Sequence, residues 1–174
     1  MTTLDLAPQH LARPGVRAGR DLDIDLVTAA RRISYRPTLW RHAVRFDPAA
    51  RTYTRIPSTG LDVEAWLLTW LPGQETALHD HAGSRGAFVV VTGTLDEDAV
   101  EQDWEGRTLV RTRTLEAGDL RSFGPDHVHR VSNRGDEPAV SIHVYGPALS
   151  ALRTYALDGH HLVKLAEERR GVDW

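Results

Sequence analysis

From Arg41 onward the chain is broken at short intervals by Pro72-Gly73, Gly93, Gly118-Asp119, Gly124-Pro125 and Gly135-Asp136. Between the breaks lie runs that suit strands: 42–46, 51–56, 61–71, 87–92, 109–115, 120–123, 128–132 and 139–145, with 161–165 as a possible last strand. Many short strands with frequent turn signals predict an all-β sandwich or barrel. The 61–71 run is apolar on both faces near its centre, as a strand sandwiched in a core would be.

The region before Arg41 reads differently. Residues 1–20 carry Pro8, Pro14, Gly15 and Gly19 without periodicity and read as an irregular arm. In 21–33, Ile24, Val27, Ala29 or Ala30, and Ile33 recur at helical spacing. Acidic residues cluster at the start of that stretch and Arg31-Arg32 at its end, which complements a helix dipole. Pro37 stops any extension. The 174 residues suit one domain, so 21–174 is expected to hold the helix and the barrel together. A net charge of −3 implies no basic face for nucleic acid. The chain lacks cysteine, which excludes disulfides, thiolate metal ligands and a cysteine nucleophile. No apolar run approaches the roughly 20 residues of a membrane span, and no signal-peptide core is visible near Met1. A cytoplasmic location is the expectation.

His79-Asp80-His81 carries the strongest chemical signal. On a strand, residues two apart share a face, so both imidazoles can reach one ion. The plain alternative is two polar residues on a solvated face. A second cluster, Gly124-Pro125-Asp126-His127-Val128-His129, lies about fifty residues on, and His127 competes with His129 for the role of third ligand. Imidazoles suit Fe, Zn, Cu or Ni better than Mg or Ca, and three protein ligands leave positions open for chemistry.

These two stretches resemble the paired motifs of the cupin barrel, with Gly73 six residues before His79 and Gly93 twelve after His81. The spacing from Gly118 and to Asn133 favours His129 over His127. The resemblance implies an all-β, single-domain cupin, a jelly-roll-like β-barrel with at least one N-terminal helix and its core motifs in 40–147. Most metal-binding cupins place a Glu ligand four or five residues after the histidine pair. Arg85 and Gly86 stand there in this chain, leaving three neutral imidazoles and no carboxylate.

Within the cupins the chain resembles the cysteine dioxygenase family. The resemblance rests on Tyr53-Thr54-Arg55, Ala77-Leu78-His79-Asp80-His81, His129-Arg130-Val131 and Ser141-Ile142-His143-Val144-Tyr145. It implies one Fe(II) per chain, held by His79, His81 and His129, and a small thiol and O2 as substrates. It also implies that Arg55, with Tyr53 on the same strand face, holds the substrate carboxylate. Relatives that prefer 3-mercaptopropionate usually carry glutamine at that position, so Arg55 points to L-cysteine and a cysteine sulfinate product. Ser141, His143 and Tyr145 would form a hydrogen-bond relay, with Tyr145 near the sulfur. From pattern alone, that face of 139–145 is the solvent side, and in a metal-bearing barrel it would line the cavity instead. Animal members crosslink a cysteine to the tyrosine. Gly86 occupies the matching position here, so Tyr145 stays unmodified.

Three other readings stand beside this one. They are a dioxygenase for another thiol (3-mercaptopropionate, mercaptosuccinate or a larger one), a non-catalytic ligand-binding cupin, and a different metal-cupin enzyme. A monomer or weak homo-oligomer without nucleic acid or membrane partners is expected.

Overall fold

A computed structural model of the chain describes residues 18–57 and 63–172. The arm expected at 1–20 lies outside the described residues up to position 17, and its last three positions join the first helix. This helix, α1 (Ala18–Ser34), starts three residues before the expected span and carries Arg31 and Arg32 in its last turn. The indole of Trp40 donates from Nε1 to the Ile33 carbonyl at 3.0 Å. That carbonyl also accepts from the Arg36 amide at 2.9 Å, so the indole adds a second bond at the helix end. Two 3₁₀ turns follow, Pro37–Leu39 and Arg41–Ala43. The strand expected at 42–46 is therefore absent. The Arg45 carbonyl is taken by the side-chain hydroxyls of Thr52 (2.9 Å) and Thr69 (2.5 Å) rather than by a sheet ladder.

Eleven strands fill most of the remaining described residues. They are β1 (Thr52–Ile56), β2 (Glu64–Trp70), β3 (Leu78–Asp80), β4 (Arg85–Thr92), β5 (Thr94–Gln102), β6 (Thr108–Glu116), β7 (Leu120–Phe123), β8 (His129–Ser132), β9 (Ala139–Gly146), β10 (Ala151–Asp158) and β11 (His161–Arg169). Leu61, where the second strand was expected to begin, lies outside the described residues. The strands form a five-stranded sheet, β1-β2-β9-β4-β7, and a six-stranded sheet, β11-β10-β3-β8-β5-β6. Among the described residues no helix is long and apolar enough to cross a membrane.

The two faces of the five-stranded sheet have different tasks. Its outer face presents Leu67, Ala87, Val89, Val140, Ile142 and Val144 to Leu26, Ala30 and Ile33 of α1. Covering that face removes each large side chain from water, worth roughly 1.5–3 kcal/mol apiece. Its inner face carries Leu68, Trp70, Phe88, Val90, Phe123 and Tyr145, which pack with Leu95, Leu115 and Val131 across the barrel. All eight residues of β9 are consequently buried. The polar row Ser141-His143-Tyr145 faces the barrel interior, because α1 has claimed the apolar row on the other side.

Candidate metal centre and cavity

β3 and β8 bring the three candidate ligands together. His79 and His129 are direct cross-strand partners, and His81 follows one residue after the end of β3. The ring centroids stand 4.9 Å apart for His79 and His81, 4.8 Å for His79 and His129, and 5.2 Å for His81 and His129. One ring nitrogen from each residue lies within 4.8 Å of the others. Asp80, on the opposite strand face, takes no part. Its carboxylate accepts from the Ala82 amide at 2.8 Å and the Tyr155 hydroxyl at 2.6 Å, and so fixes the turn that follows.

Hydrogen bonds around the triad free one lone pair on the rings of His79 and His129. His79 Nδ1 donates to the Ala77 carbonyl and His129 Nδ1 to Glu97 Oε1, both at 2.9 Å. Nε2 of each is thereby left unprotonated. Both ring nitrogens of His81 are buried and have no hydrogen-bond partner. An orphaned buried polar group carries a desolvation cost, and a metal ion held by His79, His81 and His129 would relieve it. Burial, reinforced by the neighbouring imidazole of His129, lowers the His79 pKa from 6.5 to about 3. Burial likewise lowers those of His81 and His129. All three are neutral at physiological pH, the form that binds metal. The residues present therefore fit a divalent transition metal.

Glu97 supplies the carboxylate that the ligand set lacks, one hydrogen bond further out. Oε1 accepts from His129 Nδ1 at 2.9 Å and from His127 Nε2 at 3.0 Å, and Oε2 accepts from Arg121 Nε at 2.8 Å. Burial would raise its pKa, but the hydrogen bonds from His127, His129 and Arg121 outweigh that and hold it far below the carboxylate range. His127 thus sits with Glu97, stacked on Phe123 at 5.3 Å, while His129 joins the triad. A carboxylate behind a ligating histidine fixes its tautomer and raises its basicity. Glu97→Gln is expected to weaken metal binding by about 10–100-fold with the barrel still folded. Competition against a chelating dye would measure this, with circular dichroism as the folding control. Unchanged affinity would reduce Glu97 to a structural anchor.

The β9 row forms a hydrogen-bonded line that begins one residue earlier than the sequence suggests. Trp70 Nε1 donates to Ser141 Oγ at 2.9 Å, Ser141 Oγ is 2.9 Å from His143 Nε2, and His143 Nδ1 is 3.5 Å from the Tyr145 hydroxyl. An indole N–H can only donate, so the serine oxygen receives it and the serine hydroxyl donates to His143 Nε2. His143 Nδ1 then carries the hydrogen and faces the tyrosine oxygen, which leaves the Tyr145 proton free for the cavity. Burial keeps His143 neutral and raises the Tyr145 pKa above its ordinary 10.0. Tyr145 lies against the triad, its ring centroid 5.0 Å from that of His81. Gly86 is its direct cross-strand partner. A Cβ at Gly86 would overlap the Phe123 ring, which stacks on His81 at 4.9 Å. An aromatic ring thus fills the space in which a crosslinking side chain would stand.

A cavity of about 260 Å³ opens over the triad, lined by Trp66, Leu68, Trp70, Val131, Leu149 and Leu152 with His143 and Tyr145. Tyr53 lines its mouth, edge-on to Trp66 at 5.9 Å. Arg55, expected to hold a carboxylate there, is not among the lining residues. Its side chain is 61% exposed and its Nε lies 3.5 Å from Glu64 Oε1. Glu64 is buried and also receives Arg170 at 2.6 Å and the Leu149 amide at 2.9 Å. Arg55 is drawn to that carboxylate and away from the cavity. The arginine that does line the cavity is Arg51, just before β1. Arg51, Tyr53 and Arg55 share strand parity, so alternation alone could not choose between the two arginines.

The family model described as cysteine dioxygenase type I matches residues 13–158. Cysteine dioxygenase type 1 of Danio rerio is 28% identical over 134 residues, which make up 72% of this chain and 66% of that protein. The Rattus norvegicus protein of the same name is 24% identical over 144 residues, covering 79% of this chain and 72% of its own. This chain therefore spans about two thirds of the length of these relatives. In fold it is similar to a cupin-superfamily sugar phosphate isomerase from Silicibacter pomeroyi. That similarity has a TM-score of 0.50 at 22% identity and covers 72% of this chain and 81% of that one.

Proposed function

The chain belongs to the cysteine dioxygenase type I family, and from that premise we propose that it is an Fe(II)-dependent thiol dioxygenase acting on L-cysteine. The reaction is RSH + O2 → RSO2H. Two S–O bonds form, the O–O bond breaks, and sulfur gives up the four electrons that oxygen gains, so no further reductant enters. The observation that carries this reading is the cluster of half-buried His79 with buried His81 and His129 lining the cavity, the ring nitrogens of His81 making no hydrogen bond.

Iron, when bound by these imidazoles, supplies open positions at which a thiol sulfur and O2 become neighbours, turning an encounter into an intramolecular step. The protein's residues set the conditions. Three neutral ligands leave the charge of a bound cation undiminished, which favours an anionic thiolate. Trp66, Leu68, Trp70 and Leu149 make the walls apolar. Tyr145 donates its hydroxyl hydrogen toward charge developing at sulfur and oxygen. His143 and Ser141 orient it, with Trp70 setting the direction of the line.

Anaerobic loading with Fe(II), followed by O2 uptake and mass analysis of product across a thiol panel, tests the proposal. One sulfinate per O2 consumed is expected. No sulfinate from any small thiol at full iron occupancy would overturn it, and thiol binding without O2 uptake would identify a non-catalytic cupin. A second reading, in which the native thiol is 3-mercaptopropionate, mercaptosuccinate or a larger one, is favoured by the position of Arg55 outside the cavity. The ranking of kcat/KM across the same panel decides between them.

A further inference from the structure

We propose that Arg51, and not Arg55, is the residue that binds the carboxylate end of the thiol substrate. The inference deepens the thiol dioxygenase reading and rests on it for the identity of the sulfur end. Its motivation is the environment of one guanidinium. Arg51 lines the same cavity as His79, His81, His129 and Tyr145. Its guanidinium carbon stands 4.9 Å from the Trp70 ring centroid and 5.9 Å from that of Tyr53. Two aromatic rings hold the cation in place without neutralising it. Its Nε is buried and has no hydrogen-bond partner.

The other arginines beside these buried carboxylates are paired: Arg121 with Glu97, Arg130 and Arg134 with Asp98, Arg170 with Glu64. Arg51 forms no ion pair among the described residues. Besides burial, the largest influences on its charge are the hydroxyls of Tyr145 and Tyr53 rather than a carboxylate. The acidic residue that lines the cavity, Glu168, is exposed at its rim. A desolvated cation without a counter-ion is costly, and an anionic ligand completes it. Guanidinium meets a carboxylate as a two-pronged fork. The charge of Arg51 is also felt at His79, His143 and Tyr145, so a single small molecule can engage both the metal centre and the arginine.

The test compares L-cysteine with cysteamine, which differ by the carboxylate, by titration calorimetry under argon on the iron-loaded protein. Wild type is expected to bind L-cysteine about 100-fold more tightly than cysteamine. Arg51→Gln is expected to abolish that preference by weakening L-cysteine binding about 100-fold while leaving cysteamine within about twofold. Arg55→Gln is expected to leave both affinities unchanged. Equal affinity of wild type for the two thiols would overturn the proposal without recourse to any variant. So would loss of the preference in Arg55→Gln but not in Arg51→Gln. Retained preference with no sulfinate product would instead refute the enzymatic reading and leave this assignment standing.

Discussion

His81→Ala is expected to leave a folded chain that no longer holds metal and no longer turns over substrate. The argument rests on bookkeeping around one side chain. In the protein without metal, the imidazole of His81 makes no hydrogen bond through either nitrogen. Removing it costs a cavity beside Phe123 and Tyr145, about 2–5 kcal/mol for a large core side chain. It also removes two unsatisfied buried polar atoms, each an expense of roughly 1–3 kcal/mol. These terms nearly cancel, so unfolding of the metal-free variant should begin close to that of the metal-free wild type. Metal affinity behaves differently. Losing an outer partner of a ligand costs about 10–100-fold, and losing the ligand itself should exceed that range. Iron content by mass spectrometry should drop to a small fraction of one per chain, and O2 uptake to background. Wild type should gain thermal stability on loading, since a ligand that binds only the native state stabilises it, and the variant should gain none. Full iron occupancy in His81→Ala would remove this residue from the centre.

The same residue illustrates which features were legible in the sequence. The pairing of His79 with His81 follows from two-residue alternation, and the rhythm of turn residues foretold the barrel. The spacing from Gly118 and to Asn133 favours His129 over His127, and the fold supplies a physical reason: His129 lies opposite His79 in the β3–β8 ladder, whereas His127 hydrogen-bonds to Glu97. β5 escaped notice because Asp96, Glu97, Asp98 and Glu101 obscure its alternation. Those charges are answered by side chains on other strands and loops: Thr114, Thr112 and Arg111 on β6, Arg121 on β7, Arg130 on β8 and Arg134 beyond it. The inner face of β9 was ambiguous for a related reason. Ser141, His143 and Tyr145 read as polar whether they meet water or a cavity, and only the packing of α1 on Val140, Ile142 and Val144 decides. Nor does the pattern show that Arg51 rather than Arg55 lines the cavity, because Glu64, the carboxylate beside Arg55, belongs to β2.

Tyr145→Phe should lower kcat by on the order of 10²–10³, the range for removing one hydrogen-bond donor aimed at developing charge, with little change in KM or iron content. The hydroxyl contributes little to holding the fold. Its one protein hydrogen-bond contact among the described residues is 3.5 Å long, to His143 Nδ1, at the edge of hydrogen-bond geometry. Stability should therefore change by less than about 1 kcal/mol, which separates this variant from one that merely loosens the core. The direction of the proton line gives the hydroxyl its role. Trp70 can only donate, Ser141 donates its hydroxyl hydrogen bond to His143 Nε2, and His143 points its Nδ1 hydrogen at the tyrosine oxygen, so the phenolic hydrogen stays free to donate into the cavity. Burial raises the Tyr145 pKa above 10.0, so the group stays a donor as pH rises, and its contribution should persist through pH 9. A loss of kcat between pH 8 and 9 in wild type that disappears in Tyr145→Phe would mean that the donor phenol loses its proton in that window, against the direction in which burial moves it. Equal kcat in the two proteins would leave the apolar walls and the metal ligands to account for catalysis without a proton donor from β9.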